Sequence, residues 1–296
     1  MRLYRVDADQ WAVDAPAKLN LFFEVLAKRS DGYHEIETLM CPIGLYDTIL
    51  FSPNASGQVR LICAKGSRAG DGELPADRRN LVVRAIELLR ERTGCRYGAE
   101  VRLIKRIPMQ AGLGGGSSDA AAALAVASQA WGLGIAPAEL RQWAAELGSD
   151  VPFFLGRGAA VCRGRGEIIE PAPGGGLSFV VVRPDEGLST AEVYRHCRPA
   201  EQPRSVGPAV VALSRGDAPA LGRALFNRLE SAAASLSPWI ERLRCALARL
   251  DLCGYQMSGS GTAFFGVCRH LRHARTAAMR LSAMGFRQVF AIGGAV

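Results

Sequence analysis

The sequence contains no Cys-x-x-Cys pair. Its eight cysteines, Cys41, Cys63, Cys95, Cys162, Cys197, Cys245, Cys253 and Cys268, stand singly, so no zinc ribbon or dithiol redox centre is spelled out and they read as reduced packing residues. An apolar run able to cross a bilayer is also missing: the best candidate, Ala120 to Ala136, is built mainly of alanine and glycine and includes Gln129. The N-terminus is charged from Arg2 onward and has no apolar segment followed by a small-residue cleavage site, which points to a soluble, cytoplasmic protein. No internal repeat or low-complexity tract is present. Hydrophobic residues at 49% and charged residues at 22% exclude both a disordered chain and a coiled-coil rod.

What is present is enzyme-sized. A chain of 296 residues is enough for two domains at roughly 100–200 residues each. The net charge of +8 favours anionic partners, among them phosphorylated metabolites, nucleic acid and acidic lipid. Strand patterns occur at 19–26, 48–52, 59–63 and 100–107, and Asp77 is placed to cap a helix through Leu81, Ala85, Leu88 and Leu89 that stops near Thr93-Gly94. A second helix is expected after Ser117-Ser118-Asp119 and a third from Pro137 to Leu147. Gly164-Arg165-Gly166 and Pro171 to Gly176 are too rich in Gly and Pro to lie inside an element, which sets a domain boundary there: residues 1–168 and 169–296. Beyond it the pattern predicts a buried strand at 177–182, helices at 218–226, 238–250 and 271–284, and strands at 255–258 and 263–267. Together these make an α+β protein.

The most informative run is Pro108-Met109-Gln110-Ala111-Gly112-Leu113-Gly114-Gly115-Gly116-Ser117-Ser118. Four glycines in five positions let backbone N–H groups close around an anion, and the following helix points its positive end at the same place. A glycine turn with a Ser or Asp helix cap is the plainer alternative, but several consecutive glycines cost stability, roughly a kcal/mol each, which a simple turn does not need. Ser117 and Ser118 could reach phosphate oxygens or a metal ion, and Lys105 lies just upstream. No Gly-Lys-Ser/Thr ends the run, and its glycine spacing is not the dinucleotide-binding one.

The run resembles the phosphate loop of the GHMP kinases, matching Pro-x-x-x-Gly-Leu-Gly-Gly-Gly-Ser-Ser at every fixed position. Three more blocks are similar to that family in the same order: Ala15 to Leu21 with Arg29 to Glu35, then Gly148 to Phe154, then Met257 to Gly266. The Asp31-Gly32-Tyr33-His34 turn is similar to the branch whose acceptor is a cytidine diphosphate-linked methylerythritol. The resemblance implies an N-terminal ribosomal-protein-S5-like domain carrying ATP and a C-terminal ferredoxin-like domain, with the active site in the cleft between them. It implies phosphorylation of the acceptor's 2-hydroxyl by ATP with Mg²⁺, on the non-mevalonate route to isoprenoid precursors.

Phosphoryl transfer to an alcohol needs an anion cradle, a positive charge and a carboxylate to receive the proton. The resemblance assigns the last two to Lys18 and Asp150. Read without it, an Asp after a helix is a turn residue and a lone Lys near a strand is solvated. Asn20, two residues from Lys18, shares its face of a strand and could bond phosphate or hydroxyl. The family uses the positions of Tyr33 and His34 for the cytosine ring, Tyr194 for its other face, and Asn80 and Lys105 near adenine. Gly259, Ser260, Gly261 and Thr262 would approach the methylerythritol phosphate end, although a tight hairpin turn explains them equally well from the residues alone. One departure stands out: Asn227-Arg228-Leu229-Glu230 carries a base where the family has Asn-Asp-Leu-Glu.

Other readings are a GHMP kinase for homoserine, mevalonate or a sugar, a nucleic-acid-binding module, and a silent paralogue. The Tyr-His turn argues against the first. The even spread of Arg and Lys along the chain argues against the second, and intact Lys18, Asp150 and glycine loop against the third. Neither a monomer nor a homodimer is favoured, and no Mg²⁺ ligand is assigned.

Overall fold

The computed structural model describes residues 1–66 and 74–293. In chain order the elements are β1 (Arg2–Arg5), β2 (Trp11–Lys28), β3 (His34–Asn54), β4 (Val59–Lys65), α1 (Leu81–Thr93), β5 (Gly98–Lys105), α2 (Gly115–Ala130), α3 (Pro137–Leu147), α4 (Val151–Phe154), β6 (Ala160–Gly164), β7 (Ile168–Pro171), β8 (Ser178–Arg183), α5 (Thr190–His196), α6 (Gly207–Ser214), α7 (Ala218–Ala224), β9 (Phe226–Asn227), α8 (Leu229–Leu236), α9 (Pro238–Ala248), β10 (Gly254–Met257), β11 (Phe264–Cys268), α10 (Leu271–Ala283) and β12 (Gln288–Gly293). The chain forms two compact units. One comprises Met1–Ala17, Leu45–Met109 and Gly114–Arg157, the other Lys18–Gly44, Gln110–Leu113 and Gly158–Val296.

In the first unit β1 pairs antiparallel with the start of β2, and the end of β3 pairs antiparallel with β5, which pairs in parallel with β4. Helix α2 is buried along most of its length, from Ser118 through Leu124, Val126 and Ala127, because its alanines let α1 and α4 approach closely. Helix α1 starts later than the sequence suggests: Asn80, not Asp77, caps it by accepting from the Val82 N–H at 3.0 Å. Asp77 accepts from the Arg79 N–H at 2.9 Å and shapes the preceding turn.

At the base of this unit lies a buried charge cluster. The Lys105 ammonium bonds Asp47 and, at 2.6 Å, Asp119, and all three side chains are almost fully enclosed. Asp47 also accepts from the Ile107 N–H at 2.9 Å and from that of Arg106, so three donors converge on its carboxyl group. Burial would lower the Lys105 pKa, but Asp119 and Asp47 outweigh it and the ammonium is retained. Burial raises Asp119 well above the usual carboxylate range, because the one ammonium nearby is shared with Asp47.

In the second unit β10, β11, β8 and β12 form an antiparallel sheet in that order. Val180, Val182, Met257 and Phe264 pack with Leu229, Ile240, Leu243, Leu247, Ala274 and Leu281 from α8, α9 and α10. The start of β3 pairs with β6 and β6 with β7, both antiparallel, so Gly164 to Gly166 lies at a hairpin turn. The short β9 pairs in parallel with β2 at Phe22 and Phe23.

The mixed helix and strand composition agrees with the α+β reading. Strands β2 and β3 are much longer than their sequence patterns, since residues 15–25 are buried without a break and leave no alternation to mark the ends. Strand β12 and helices α5, α6 and α8 were not expected from the sequence. All eight cysteines are free thiols, with Cys41 and Cys268 pushed to about 12 by burial. No helix among the described residues is long and apolar enough to cross a membrane.

The buried cluster makes a testable asymmetry. Lys105→Met leaves two carboxylates enclosed and should cost about 3–5 kcal/mol in chemical denaturation. Asp119→Asn should cost far less, and because the Asp119 pKa is raised on folding, the balance should move toward the variant as pH rises above the ordinary carboxylate range.

Candidate active site

Three remote stretches meet in the second unit. Alternation along β2 puts Lys18 and Asn20 on one face, both buried, and the Lys18 ammonium bonds Asn20 Oδ1. Asn20 Nδ2 donates to Thr38 Oγ1 at 2.9 Å, and that hydroxyl donates to the Phe22 carbonyl at 2.7 Å, which fixes the amide's orientation. The Lys18 N–H donates to the Leu113 carbonyl at 2.9 Å. Ser258 joins the stretches: its hydroxyl accepts from the Asn20 N–H at 3.2 Å and donates to the Gly112 carbonyl at 3.2 Å. Gln256 adds a bond to the Asn20 carbonyl at 2.8 Å, and the Ala263 N–H donates to Ala111 at 3.0 Å.

This convergence dictates Gly112. Its φ is +74°, and a Cβ there would lie 2.2 Å from the Ser258 carbonyl oxygen, so backbone meets backbone with no room between. The following turn is braced too. Asn227 Nδ2 donates to the Met257 and Gly259 carbonyls at 2.9 and 2.8 Å, Thr262 bonds the Glu186 carbonyl at 2.8 Å, and Ser260 lies 2.8 Å from the Thr190 hydroxyl. A Cβ on Gly259 would sit 3.0 Å from Asn20 Oδ1 and 3.4 Å from Lys18 Nζ, which places this turn directly beside the lysine.

In the first unit the glycine run becomes the start of α2 earlier than expected. The helix begins at Gly115, before the two serines, because Gly114 at φ +70° turns the chain into it. The N–H groups of Gly115, Gly116 and Ser117 precede the first helical bond, which Ser118 makes to the Gly114 carbonyl at 2.9 Å, and they carry the positive end of a 16-residue helix. Ser118 Oγ and Asp119 Oδ1 are buried there without a hydrogen-bond partner. Lys105 lies under this turn, within 3.2 Å of a Cβ placed on Gly115, with its charge matched by Asp47 and Asp119. Asn80 is committed to capping α1 and donates to the Pro75 carbonyl at 2.8 Å. Asp150 stands at the N-terminus of α4, half-buried, and Val151 to Phe154 after it are all buried. It belongs to the first unit and Lys18 to the second.

The aromatic candidates gather in the second unit. His34 and Tyr194 lie with ring centroids 5.1 Å apart at 35°, and Phe23 meets Tyr194 edge-on at 6.5 Å. Burial, with the charge of Lys28 second, lowers the His34 pKa, so its ring is neutral at neutral pH and offers one donor and one acceptor. Tyr33 is 53% exposed, in the turn just before β3. Arg228 does not disturb this region: it binds Glu24 through two nitrogens at 2.7 and 2.9 Å, and Glu24 also accepts from the Val25 and Arg204 N–H groups. Burial alone would raise Glu24, but these donors hold it below the ordinary carboxylate range. The base at 228 is thus matched by an acid on β2.

Sequence reasoning missed Thr38, Asn227, Gln256 and Ser258, the buried polar residues that hold Asn20, Gly112 and the Gly259 turn. Asn227 and Ser258 lie inside family-like segments but were given no role, and no local pattern marks Thr38 or Gln256. Among the described residues no group of three His, Cys, Asp or Glu could hold a metal ion alone.

Residues 80–158 match the GHMP kinases N terminal domain and 209–286 the GHMP kinases C terminal domain. The chain belongs to the GHMP kinase family. Within it, the chain is 44% identical over 271 residues to the 4-diphosphocytidyl-2-C-methyl-D-erythritol kinase of Pelotomaculum thermopropionicum, covering 90% of this chain and 92% of the relative. It is 42% identical to the enzyme of the same name from Symbiobacterium thermophilum, over 86% of this chain and 89% of that one. A crystal structure of 4-(cytidine 5'-diphospho)-2C-methyl-D-erythritol kinase superposes with a TM-score of 0.80 at 37% identity, covering 96% of this chain and all of the other. Homoserine kinase from Cytophaga hutchinsonii, at 21% identity and a TM-score of 0.76 over 99% of this chain and 96% of its own, shares the fold.

Gly112→Ala should lower stability by about 1–3 kcal/mol through backbone overpacking and weaken ATP binding along with it. Denaturant melts and an ATP titration of the same variant check both effects.

Proposed function

We infer that this protein transfers the γ-phosphoryl group of ATP to the 2-hydroxyl of 4-diphosphocytidyl-2-C-methyl-D-erythritol, a step toward isoprenoid precursors. Carrying the inference is identity near 40% over about nine-tenths of the chain to enzymes of that name, together with the meeting of Lys18, Asn20, Gly112 and the Gly259 turn. ATP is the donor. Residues 1–168 carry it and 169–296 complete the acceptor site.

Asp150 receives the proton of the acceptor hydroxyl, which makes that oxygen nucleophilic as the bond to phosphorus forms. Lys18 neutralises charge on the moving phosphoryl oxygens, and Asn20, oriented through Thr38, keeps the ammonium on its side of β2. The triphosphate lies along Pro108, Gly112, Leu113, Gly114, Gly115, Gly116, Ser117 and Ser118, where the N–H groups opening α2 and the partnerless Ser118 hydroxyl suit an anion. Mg²⁺ bound with ATP would share the charge of the β- and γ-phosphates. Asn80 and Lys105 shape the adenine end by holding α1 and the opening turn of α2 in place. Tyr33, His34 and Tyr194 hold the cytosine, and Gly259, Ser260, Gly261 and Thr262 close on the methylerythritol phosphate end. The reaction belongs to the cytoplasm and needs neither membrane nor nucleic acid.

ADP release from Mg·ATP, measured with this acceptor beside homoserine and mevalonate, tests the reading. Turnover is expected with the cytidyl acceptor alone, and Asp150→Asn should reduce it by about 10²–10⁴-fold. Equal turnover with homoserine or mevalonate would overturn the substrate. Because His34 is kept neutral, the acceptor's KM should stay level through neutral pH and rise only in solution more acidic than an ordinary histidine requires, a rise absent in His34→Asn.

A further inference from the structure

Glycine flanks Arg165 on both sides, a spacing that reads as linker, yet the sheet register carries this residue to the base site. Gly164 on β6 lies opposite Ile36 on β3, so the turn after Gly164 falls beside the residues just before β3, where Tyr33 stands. Glu35 staples the two segments. One of its oxygens accepts from the Gly164 N–H at 3.1 Å and the other pairs with Arg29 at 2.8 Å, while Arg29 also binds Asp31 at 3.1 Å. Within the turn the Arg29 N–H donates to the Tyr33 carbonyl at 2.8 Å and the Tyr33 N–H to Asp31 at 3.1 Å. These bonds hold the Tyr33 backbone and leave its ring, 53% exposed, to be held by something else.

Arg165 supplies that hold. Its guanidinium carbon lies 4.8 Å from the centre of the Tyr33 ring, and its own N–H donates to Glu167 at 2.7 Å. The nearest approach of its side chain to the Glu167 carboxylate, 3.7 Å, is too long for a hydrogen bond and does not draw the guanidinium off the ring. We propose that Arg165 is a positioning residue for the nucleoside: its guanidinium lies on one face of Tyr33 and presets the ring so that the cytosine stacks on the other. The proposal rests on the reading of Tyr33 as part of the base site. A flat guanidinium suits this task where an ammonium serves less well, because it can lie parallel to the ring.

Calorimetric binding of cytidine and of cytidine 5'-diphosphate tests it without relying on turnover. Arg165→Met should weaken both ligands by the same factor, about 2- to 5-fold, with Arg165→Lys in between. In turnover the variant should raise the acceptor's KM more than it lowers kcat. Tyr33→Ala should weaken both ligands about 5-fold or more, and adding Arg165→Met to it should weaken them no further. Unchanged or tighter binding in Arg165→Met, losses that multiply in the double variant, or a loss for the diphosphate but not for cytidine would each overturn the proposal. Binding left intact by Tyr33→Ala would instead overturn the base-site reading on which the proposal stands.

Discussion

A methyl group at position 112 would lie 2.2 Å from the Ser258 carbonyl oxygen, and neither backbone can retreat. The Gly112 carbonyl takes the Ser258 hydroxyl, that hydroxyl takes the Asn20 amide, and Leu113 next along takes the Lys18 amide. Residues separated by more than two hundred positions are thereby fixed to within a hydrogen bond of each other. The orientation of Lys18 follows from this contact, since Asn20, Thr38 and the Gly259 turn are all referenced to it.

The protein encloses charge in two ways. Glu24 is surrounded by donors, two from Arg228 and two from backbone, so it stays ionised and locks β2 to the β9 segment. Asp119 shares one ammonium with Asp47 and keeps an oxygen without a partner, so its carboxyl resists ionisation. The first arrangement is saturated and structural. The second stays unsaturated directly beneath the glycine-rich start of α2. Lys105, which by position alone looked like a ligand contact, spends its charge on this support.

Much of the site was legible in the residues. The glycine run and the Gly-Ser-Gly-Thr turn stood out in the residues, Lys18 only through the family resemblance, and helix starts at Pro137 and Leu271 and a strand expected over 59–63, observed over Val59–Lys65, followed from ordinary patterning. The cap of α1 was misplaced by three residues because Asp77 and Asn80 are both good caps and only the backbone decides between them. The extent of β2 was hidden because a strand buried on both faces has no period.

Sequence by itself determined the glycine run, because consecutive glycines are visible in composition alone, and only the resemblance to the GHMP kinases singled out Lys18 and Asp150. Tertiary structure alone decided their supports. Asn227, Ser258, Gln256 and Thr38 are ordinary polar residues in sequence, and only sheet pairing brings them to unmet backbone groups. Arg228 found its acid on β2, and Arg165 its tyrosine across β6 and β3, by register. The physical reason is the same in each case: a hydrogen bond or stacked contact acts over a few ångströms, and which residues come within that range is a property of the packed sheets, not of neighbours along the chain.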